Sequence, residues 1–509
     1  MPLHQLAQTL GADRVITDAA ERAFYSSDVY AQAEPCAAVV RPQSIDELQR
    51  ALRALAATKT PVVARGGGLS YTDAYLPATP DTVVVDLVAL DRIHEINETD
   101  RYVVVETGCT WAKLRAALAE KGLRTPYFGP LSGLRSTVGG ALSQGSIFLG
   151  SARYGSVGDA VLGIEIALAS GELLRTGAWA AGNSPPFFRY FGPDLTGLLV
   201  GDAGALGIKT RASLRLLPAH PHQDFLSYEY RDFAAMAAAM SAVTRAGLPS
   251  ECCGFDPVLT QKRLQRASLM SDAKTLGEVV KKQGVLEGLK LAVAGRNFIG
   301  GGWSAHLTIE ADSPGELKAK VDAARALMAP GREVENSIPK VLNSQPFTPP
   351  NNMLGPKGER WVPVHGIVPH SLAQPAYQAV QAIFEREAAN LTRLEIDVGY
   401  LATTIAEQGF LLEPVFYWPE AQTSYHQRMV EPAYLKRVQN FPANPEASAC
   451  VHRLKREVAD ALRAAGATHF QLGKFYSYRH GRDPQALALI DAIKRQLDPD
   501  GRMNPGALR

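Results

Sequence analysis

Up to about residue 218 the chain alternates short apolar runs with amphipathic stretches and glycine turns. Ala37-Ala38-Val39-Val40 ahead of Arg41-Pro42 predicts a short strand. Ser44 with Glu47 three residues on has the form of a capping box and predicts a helix over Ser44–Ala57. Pro61–Ala64 predicts the next strand, Thr82–Leu87 and Tyr102–Glu106 are β-rich, Trp111–Lys121 is helical in pattern, and Pro126–Leu134 is a loop. Val161–Leu168, closed by the Ser170-Gly171 turn, predicts a buried strand. From about 220 to 455 the texture changes. Strands are predicted at 224–230, 304–310, 361–368 and 411–418, with helices at 232–246, 314–328 and 372–389 between them. Residues 273–295, with Lys281 and Lys282, form a further amphipathic pattern, better read as a helix packed on this region than as a membrane-surface segment. Five prolines within 331–358 predict a long loop.

Two glycine stretches interrupt this alternation and carry the first chemistry. The strand at Pro61–Ala64 delivers Arg65-Gly66-Gly67-Gly68-Leu69-Ser70-Tyr71, and Thr137-Val138-Gly139-Gly140 opens a run of small and hydroxyl residues that continues to Arg153-Tyr154-Gly155. Glycines let backbone N–H groups approach an anion with no Cβ in the way, and Ser143, Ser146 and Ser151 add neutral donors, so a diphosphate suits such a surface. A tight-turn cluster in an ordinary α/β domain is the alternative. Two nucleotide motifs are excluded. Tyr71 stands where a dinucleotide fingerprint needs its third glycine, and Ile208 separates Gly207 from Lys209 where a triphosphate loop needs them adjacent.

Composition narrows the class. A chain of 509 residues exceeds one usual core, so two domains are expected, and 46% hydrophobic with 20% charged residues is that of a soluble globular enzyme. The formal net charge of +2, with acids and bases intermixed, gives no nucleic-acid footprint, so the partners expected are small molecules or other proteins. Cys36, Cys109, Cys252, Cys253 and Cys450 show no metal or redox spacing and point to a reducing compartment. The opening residues lack the apolar core of a signal peptide and no run of about 18 apolar residues occurs, so neither export nor a membrane span is expected. The location expected is cytoplasmic, with peripheral attachment at the inner membrane as the alternative.

ARGGGLSY, STVGGALSQGS, SARYGSVGDAVLGIEIALASGELLRTG, GPDLTGLLVGDAGALGIKTRASLRLLP and LDPDGRMNPG, in that order, resemble the signature blocks of flavoproteins similar to vanillyl-alcohol oxidase, p-cresol methylhydroxylase and the D-lactate or glycolate dehydrogenases. The resemblance implies an α+β chain: a bipartite FAD-binding domain (1–220 with 456–509) and an inserted antiparallel-sheet cap (221–455) over the flavin. By position, Arg65, Gly66, Gly67, Gly68, Leu69, Ser70 and Tyr71 would form the diphosphate loop. Pro130 with Thr137, Gly139, Gly140, Ser143, Gly145, Ser151 and Tyr154 would form the second FAD segment. Gly207 and Ile208 would lie on the adenine and ribose side and Asn504 near the flavin end. Members that attach FAD through the first loop carry His directly after its glycines. Here that position is Leu69, which offers no nucleophile, so attachment at this loop is excluded; noncovalent FAD is expected, with attachment through a cap-domain His or Tyr, as in the phenol-oxidising relatives, the alternative.

Oxidation of such a substrate needs its C–H bond held against the flavin, a group to take the hydroxyl proton, and a cation if the substrate is an acid. Three stretches supply candidates. His365 sits in the apolar run Trp361–Pro369, and Glu413 and Tyr417 share one face of Leu411–Trp418 by strand alternation. Tyr478-Arg479 resembles the pair that phenol-oxidising relatives place over a phenolate, and Gly473-Lys474 resembles the Gly-Lys of the hydroxy-acid dehydrogenases, although their Glu-His-Gly is missing and His469 is one place out of register. A metal has only His365, His370 and Glu413 to hold it, and none is expected. A D-2-hydroxy acid such as D-lactate would use Arg479 or Lys474 and a base such as His365; a 4-alkylphenol would use Tyr478 with Arg479. The loop Tyr127–Ser132 lacks the acid of the phenol oxidases, which tips the reading toward a hydroxy acid. A flavin-binding partner protein without catalysis is the non-enzymatic alternative. The electron acceptor, oxygen, quinone or cytochrome, and pairing of two copies into a homodimer are left open.

Overall fold

The computed structural model describes residues 3–269 and 301–509; the amphipathic pattern at 273–295 lies outside them. The chain divides into two compact units, the first made of residues 1–147, 156–219 and 470–509, the second of 148–155 and 220–469.

In the first unit the strands Val15–Ile16, Ala38–Val40, Val83–Asp86 and Val62–Arg65 lie side by side in that order, the last three mutually parallel. Ser44 caps the helix Ile45–Ala57 by accepting the Glu47 N–H, while the Glu47 carboxylate reaches one residue further back than in a closed capping box, to Gln43 N–H. That helix buries Leu48, Ala51, Leu52 and Leu55 with Val40, Val62, Val83 and Val85 of the sheet, each large side chain contributing roughly 1.5–3 kcal/mol. Parallel strands covered in this way read as continuous Val and Ile runs, which is why they are legible in the sequence. A second sheet of five strands, all antiparallel, runs Ile93–Asn97, Tyr102–Glu106, Ile208–Arg215, Val161–Ala167, Leu173–Arg175. The C-terminal segment completes the first sheet: Val62 donates to Arg502 O and accepts from Asn504 N, in a parallel bridge with Met503.

The second unit is built on one antiparallel sheet in the order Arg332–Glu333, His222–Tyr230, Trp303–Ala311, Pro249–Phe255, Asp397–Ile405, Gly409–Trp418, Arg360–Pro363, with Gly366–Pro369 also paired to Gly409–Trp418. The run predicted as one strand at 361–368 breaks at Val364-His365, beyond Pro363, which has no N–H to give the ladder; Val364 N then bonds Pro414 O. The long loop predicted at 331–358 contains a helix, Ser337–Ser344, and the single turn Pro350–Met353.

Alternation gives this sheet two different faces. One packs on helices: Thr244 of Phe233–Arg245 bonds Thr404, Phe384 of Ala373–Arg386 meets Phe416 edge-on at 5.6 Å, and Ser448 of Pro445–Ala464 receives the Trp418 indole N–H. Because Pro445–Ala464 packs on the sheet as one piece, the second unit runs to His469, not to 455. Residues 148–155 also belong to it, since the helix Ser151–Tyr154 packs on Pro249–Phe255 and Asp397–Ile405. The other face of the sheet is covered in part by the helix Pro257–Leu269 and is polar.

Candidate functional site

In the first unit, Arg65 ends a parallel strand and residues 66–70 leave the sheet. Among the described residues, the N–H groups of Gly66, Gly67, Leu69 and Ser70 have no protein acceptor. Four half-buried donors in one turn form an anion nest. A Cβ on Gly66 would fall on the Thr137 hydroxyl and one on Gly67 on the Arg135 carbonyl, so the loop lies flush against the start of the second segment. Beside it, the buried Ser136 Oγ has no partner among the described residues. These are the groups a diphosphate needs. The Arg65 side chain, 4% exposed, lies beneath the loop, its guanidinium 5.0, 4.5 and 5.2 Å from the rings of Phe24, Tyr25 and Tyr75. It props the turn from behind.

The second stretch folds as a helix, Val138–Gln144, capped by Thr137 and closed by Gly145 in the left-handed conformation at φ 62°. Its first amides are taken: Val138 N bonds Cys109 O, Gly139 N bonds Thr107 O and Gly140 N bonds Thr137 Oγ1. The glycines here serve close packing on Thr107, whose side chain a Cβ at 139 would strike. Asn504 ties three pieces of the unit together, its N–H to Val62 O and its side-chain amide to Ala74 O and Ala203 O, and leaves its buried Oδ1 unpartnered. The Gln144 Oε1 is orphaned in the same way. Ser136 and Gln144 were not singled out in the sequence; their adjacency to Thr137 and Gly145 is the only signal there.

The loop ahead of Gly207 and Ile208 is organised by Asp202. Its carboxylate accepts from Gly204 N, Leu206 N and, at 2.5 Å, Lys209 Nζ, with both charged side chains 2% exposed. Asp202→Asn strands a buried ammonium, so the unit is expected to lose about 3–5 kcal/mol. Thermal unfolding of the purified variant checks this, and an unchanged Tm refutes it.

In the second unit, the polar sheet face brings Glu413 and Tyr417 together with residues absent from the sequence reading. Glu413 is half-buried, and burial pushes its carboxyl up to about 7 against the lowering pull of Arg263. Tyr417 is buried, with the Lys262 ammonium 5.1 Å from its ring centre, and its phenol is pushed up by burial despite the neighbouring Arg266 and Arg263. Lys262 is itself paired with Glu359 and Asp397, each at 2.6 Å. His306, 1% exposed, bonds Ser227 Oγ and Ser304 Oγ and is pushed down to about 3, first by burial and then by Arg263, so it is neutral at physiological pH.

His365 is completely buried and held neutral by burial, with His469 and Lys455 beside it; the ring of His469 bonds its carbonyl. His370 bonds Ser241 Oγ. Lys474 belongs to the first unit, its amine bonded to Leu76 O and pushed down to about 8 by burial. Arg479 is exposed and doubly bonded to Asp491 at 2.9 and 2.7 Å, and Tyr478 stacks under Arg482. Ser151 and Tyr154 fall in the second unit, where Ser151 Oγ accepts from Phe148 N and the Tyr154 hydroxyl meets His220. Among the described residues no group of three or more His, Cys, Asp or Glu is placed to hold a metal, and no helix is long and apolar enough to cross a membrane.

Residues 35–177 match the family model of an FAD binding domain. The chain is 32% identical over 243 residues to the glycolate oxidase subunit GlcD of Bacillus subtilis, covering 48% of this chain and 50% of that protein. To a mitochondrial cytochrome-type D-lactate dehydrogenase of Arabidopsis thaliana it is 30% identical over 222 residues, 42% of this chain and 37% of the relative. The chain thus spans half or less of the length of these curated relatives. The whole fold is similar to that of p-cresol methylhydroxylase with substrate bound, at TM-score 0.72 and 16% identity over 99% of this chain and 96% of that one.

Proposed function

We propose that this chain, an FAD-binding protein with the fold of the vanillyl-alcohol oxidase and p-cresol methylhydroxylase flavoproteins, is an oxidoreductase acting on a small hydroxylated substrate, a D-2-hydroxy acid by preference. The observation that carries the reading is Glu413, a carboxyl that burial pushes up to about 7 on a polar sheet face shared with Tyr417, His306 and Arg263. FAD, when bound, supplies the acceptor for the hydride that leaves the substrate carbon. The amides of Gly66, Gly67, Leu69 and Ser70 hold its diphosphate, with Ser136 as an added donor. Leu69 offers no nucleophile, so this loop forms no covalent bond to the flavin. Glu413, as carboxylate, takes the hydroxyl proton as the C–O bond becomes C=O, so the substrate loses one hydride and one proton. The D-lactate and glycolate relatives support an acid; the loop Tyr127–Ser132, which contains no carboxylate, speaks against the phenol-type reaction.

Anaerobic titration of the purified yellow protein tests this. Bleaching of the flavin band by D-lactate or glycolate, and not by 4-ethylphenol, is expected. Bleaching by the phenol alone overturns the substrate class, and failure of the protein to take up FAD overturns the whole reading.

A further inference from the structure

We infer that Arg263 is the carboxylate anchor of the substrate site, an assignment that rests on the oxidoreductase reading and gives its substrate a negative charge. Three cations project from the helix Pro257–Leu269, and they are treated differently. Lys262 is neutralised by two carboxylates at 2.6 Å. Arg266 donates to Leu354 O at 2.8 Å and neighbours Tyr417 and Tyr434. Arg263 has neither kind of partner: among the described residues its guanidinium makes no hydrogen bond and lies within 4.0 Å of no carboxylate.

Its surroundings explain why that is unusual. The guanidinium carbon sits 4.0 Å from the centre of the Phe255 ring, and its electrostatic neighbours are Cys253, Tyr417, Arg266 and Glu413. His306 on the next strand also feels its charge. Cys253 is an undissociated thiol pushed up to about 12, Tyr417 an undissociated phenol and His306 a neutral imidazole. Glu413 is the one acid that acts directly on Arg263, and Glu251 lies further along the same strand face, beside Cys253. Arg263 is partly exposed, so its charge is open to an incoming ligand and not taken up by a protein counter-ion. A bound anion would pair it.

The geometry selects the kind of anion. A guanidinium presents paired N–H donors in one plane, which match the two oxygens of a carboxylate, and seating over Phe255 restricts that plane. Glu413 shares the face at a distance longer than an ion pair, so a carboxylate on Arg263 leaves Glu413 free to meet a neighbouring hydroxyl. A 2-hydroxy acid carries those two groups on adjacent carbons.

The holoprotein, with Arg263→Met and Arg263→Lys, provides the test. FAD affinity is measured by reconstitution of the apoprotein, binding of oxalate by its perturbation of the flavin spectrum, and D-lactate by the concentration giving half-maximal anaerobic reduction. Arg263→Met is expected to raise the oxalate Kd and the half-maximal lactate concentration about 10- to 100-fold with FAD affinity unchanged, and Arg263→Lys to recover part of the loss. Equal oxalate binding by wild type and Arg263→Met overturns the assignment. So does loss of FAD affinity in both variants, which makes Arg263 a structural or cofactor residue, or competition by inorganic phosphate as effective as oxalate. Wild type that binds oxalate through Arg263 and is reduced by no hydroxy acid overturns the oxidation reading while the anion site stands.

Discussion

Gly67→Ala is expected to yield a colourless protein. The added Cβ would fall on the carbonyl oxygen of Arg135 and lie 2.7 Å from its carbon and 3.2 Å from Ser136 Cα, all of them backbone atoms with no rotamer to yield. The opposing loop cannot swing away cheaply. Arg135 N and Ser136 N both bond Ser132 O, and Ser136 O receives Trp111 N. Relief must come from residues 66–70, which opens the turn and scatters the four amides that make the nest. Overpacking of this kind costs roughly 1–3 kcal/mol in stability. The larger loss falls on the cofactor, because donors displaced from a common focus no longer act together on one diphosphate. An increase in the FAD dissociation constant of at least about 100-fold is expected, equivalent to losing two or more charge-assisted hydrogen bonds. Gly182→Ala, at a site in the same unit with no atom within 4 Å of the new Cβ, is the control and keeps its flavin. A yellow Gly67→Ala with wild-type FAD affinity removes this loop from the cofactor site.

The second large effect is expected at Glu413. Glu413→Gln keeps the shape and removes the proton acceptor, so the rate of anaerobic flavin reduction should fall about 10²- to 10⁴-fold at unchanged FAD content. The pH profile separates this from a packing defect. Burial raises the folded-state pKa from 4.5 to about 7, so the carboxylate needed for proton transfer is scarce below pH 7 and dominant above it. The wild-type reduction rate should therefore climb through that range, and the variant's residual rate should not. Stability moves the other way. A carboxyl whose folded pKa is raised favours the fold while protonated and loses that advantage as pH rises from its unfolded value through about 7. Glu413→Gln should therefore gain in Tm relative to wild type at pH 8 and not at pH 4. A wild-type rate independent of pH between 5 and 9 excludes Glu413 as the base.

How much of this could be read from residues alone follows from where each signal resides. The first unit announces itself locally: three glycines after a Val-Val strand, a Ser44 cap, unbroken apolar strands. The second unit is harder. Its two central strands were missed, one because Pro249-Ser-Glu-Cys-Cys-Gly-Phe has neither β-branched residues nor a visible alternation. Both of its faces are covered, one by methionine side chains against Gly254 and the other by Arg263, so the run lacks the apolar-polar alternation of a half-exposed strand. Arg263 itself was invisible. In Gln261-Lys262-Arg263-Leu264-Gln265-Arg266 it reads as one more charge on a solvated helix, and the residues that single it out come from three strands far apart in sequence. Glu413 and Tyr417 were legible because period-two alternation is a property of one strand. His365 attracted notice for the same reason, as an imidazole in an apolar run, but the strand breaks beside it and its titratable neighbours are His469 and Lys455. The pair Tyr478-Arg479 stood on resemblance, and the structure gives its guanidinium to Asp491 in the following helix.

The bridge between Val62 and Met503 has a further consequence, for the order in which the molecule can be made. Strand Val62–Arg65 forms early in the chain, yet its neighbour on one side arrives from 502–504, and Arg502 reaches back 442 residues to Thr60. The same late segment supplies Asn504 to Ala74 and Ala203, and Lys474 to Leu76. A ribosome therefore finishes every strand of the second unit before it releases the residues that close the first. Until then the nascent first unit carries an open sheet edge beside the very turn meant for the diphosphate, the kind of edge that chaperones and neighbouring chains recognise. The cost of closing so long a loop grows only slowly with its length, and a second unit already compact by then shortens the distance the free chain must search.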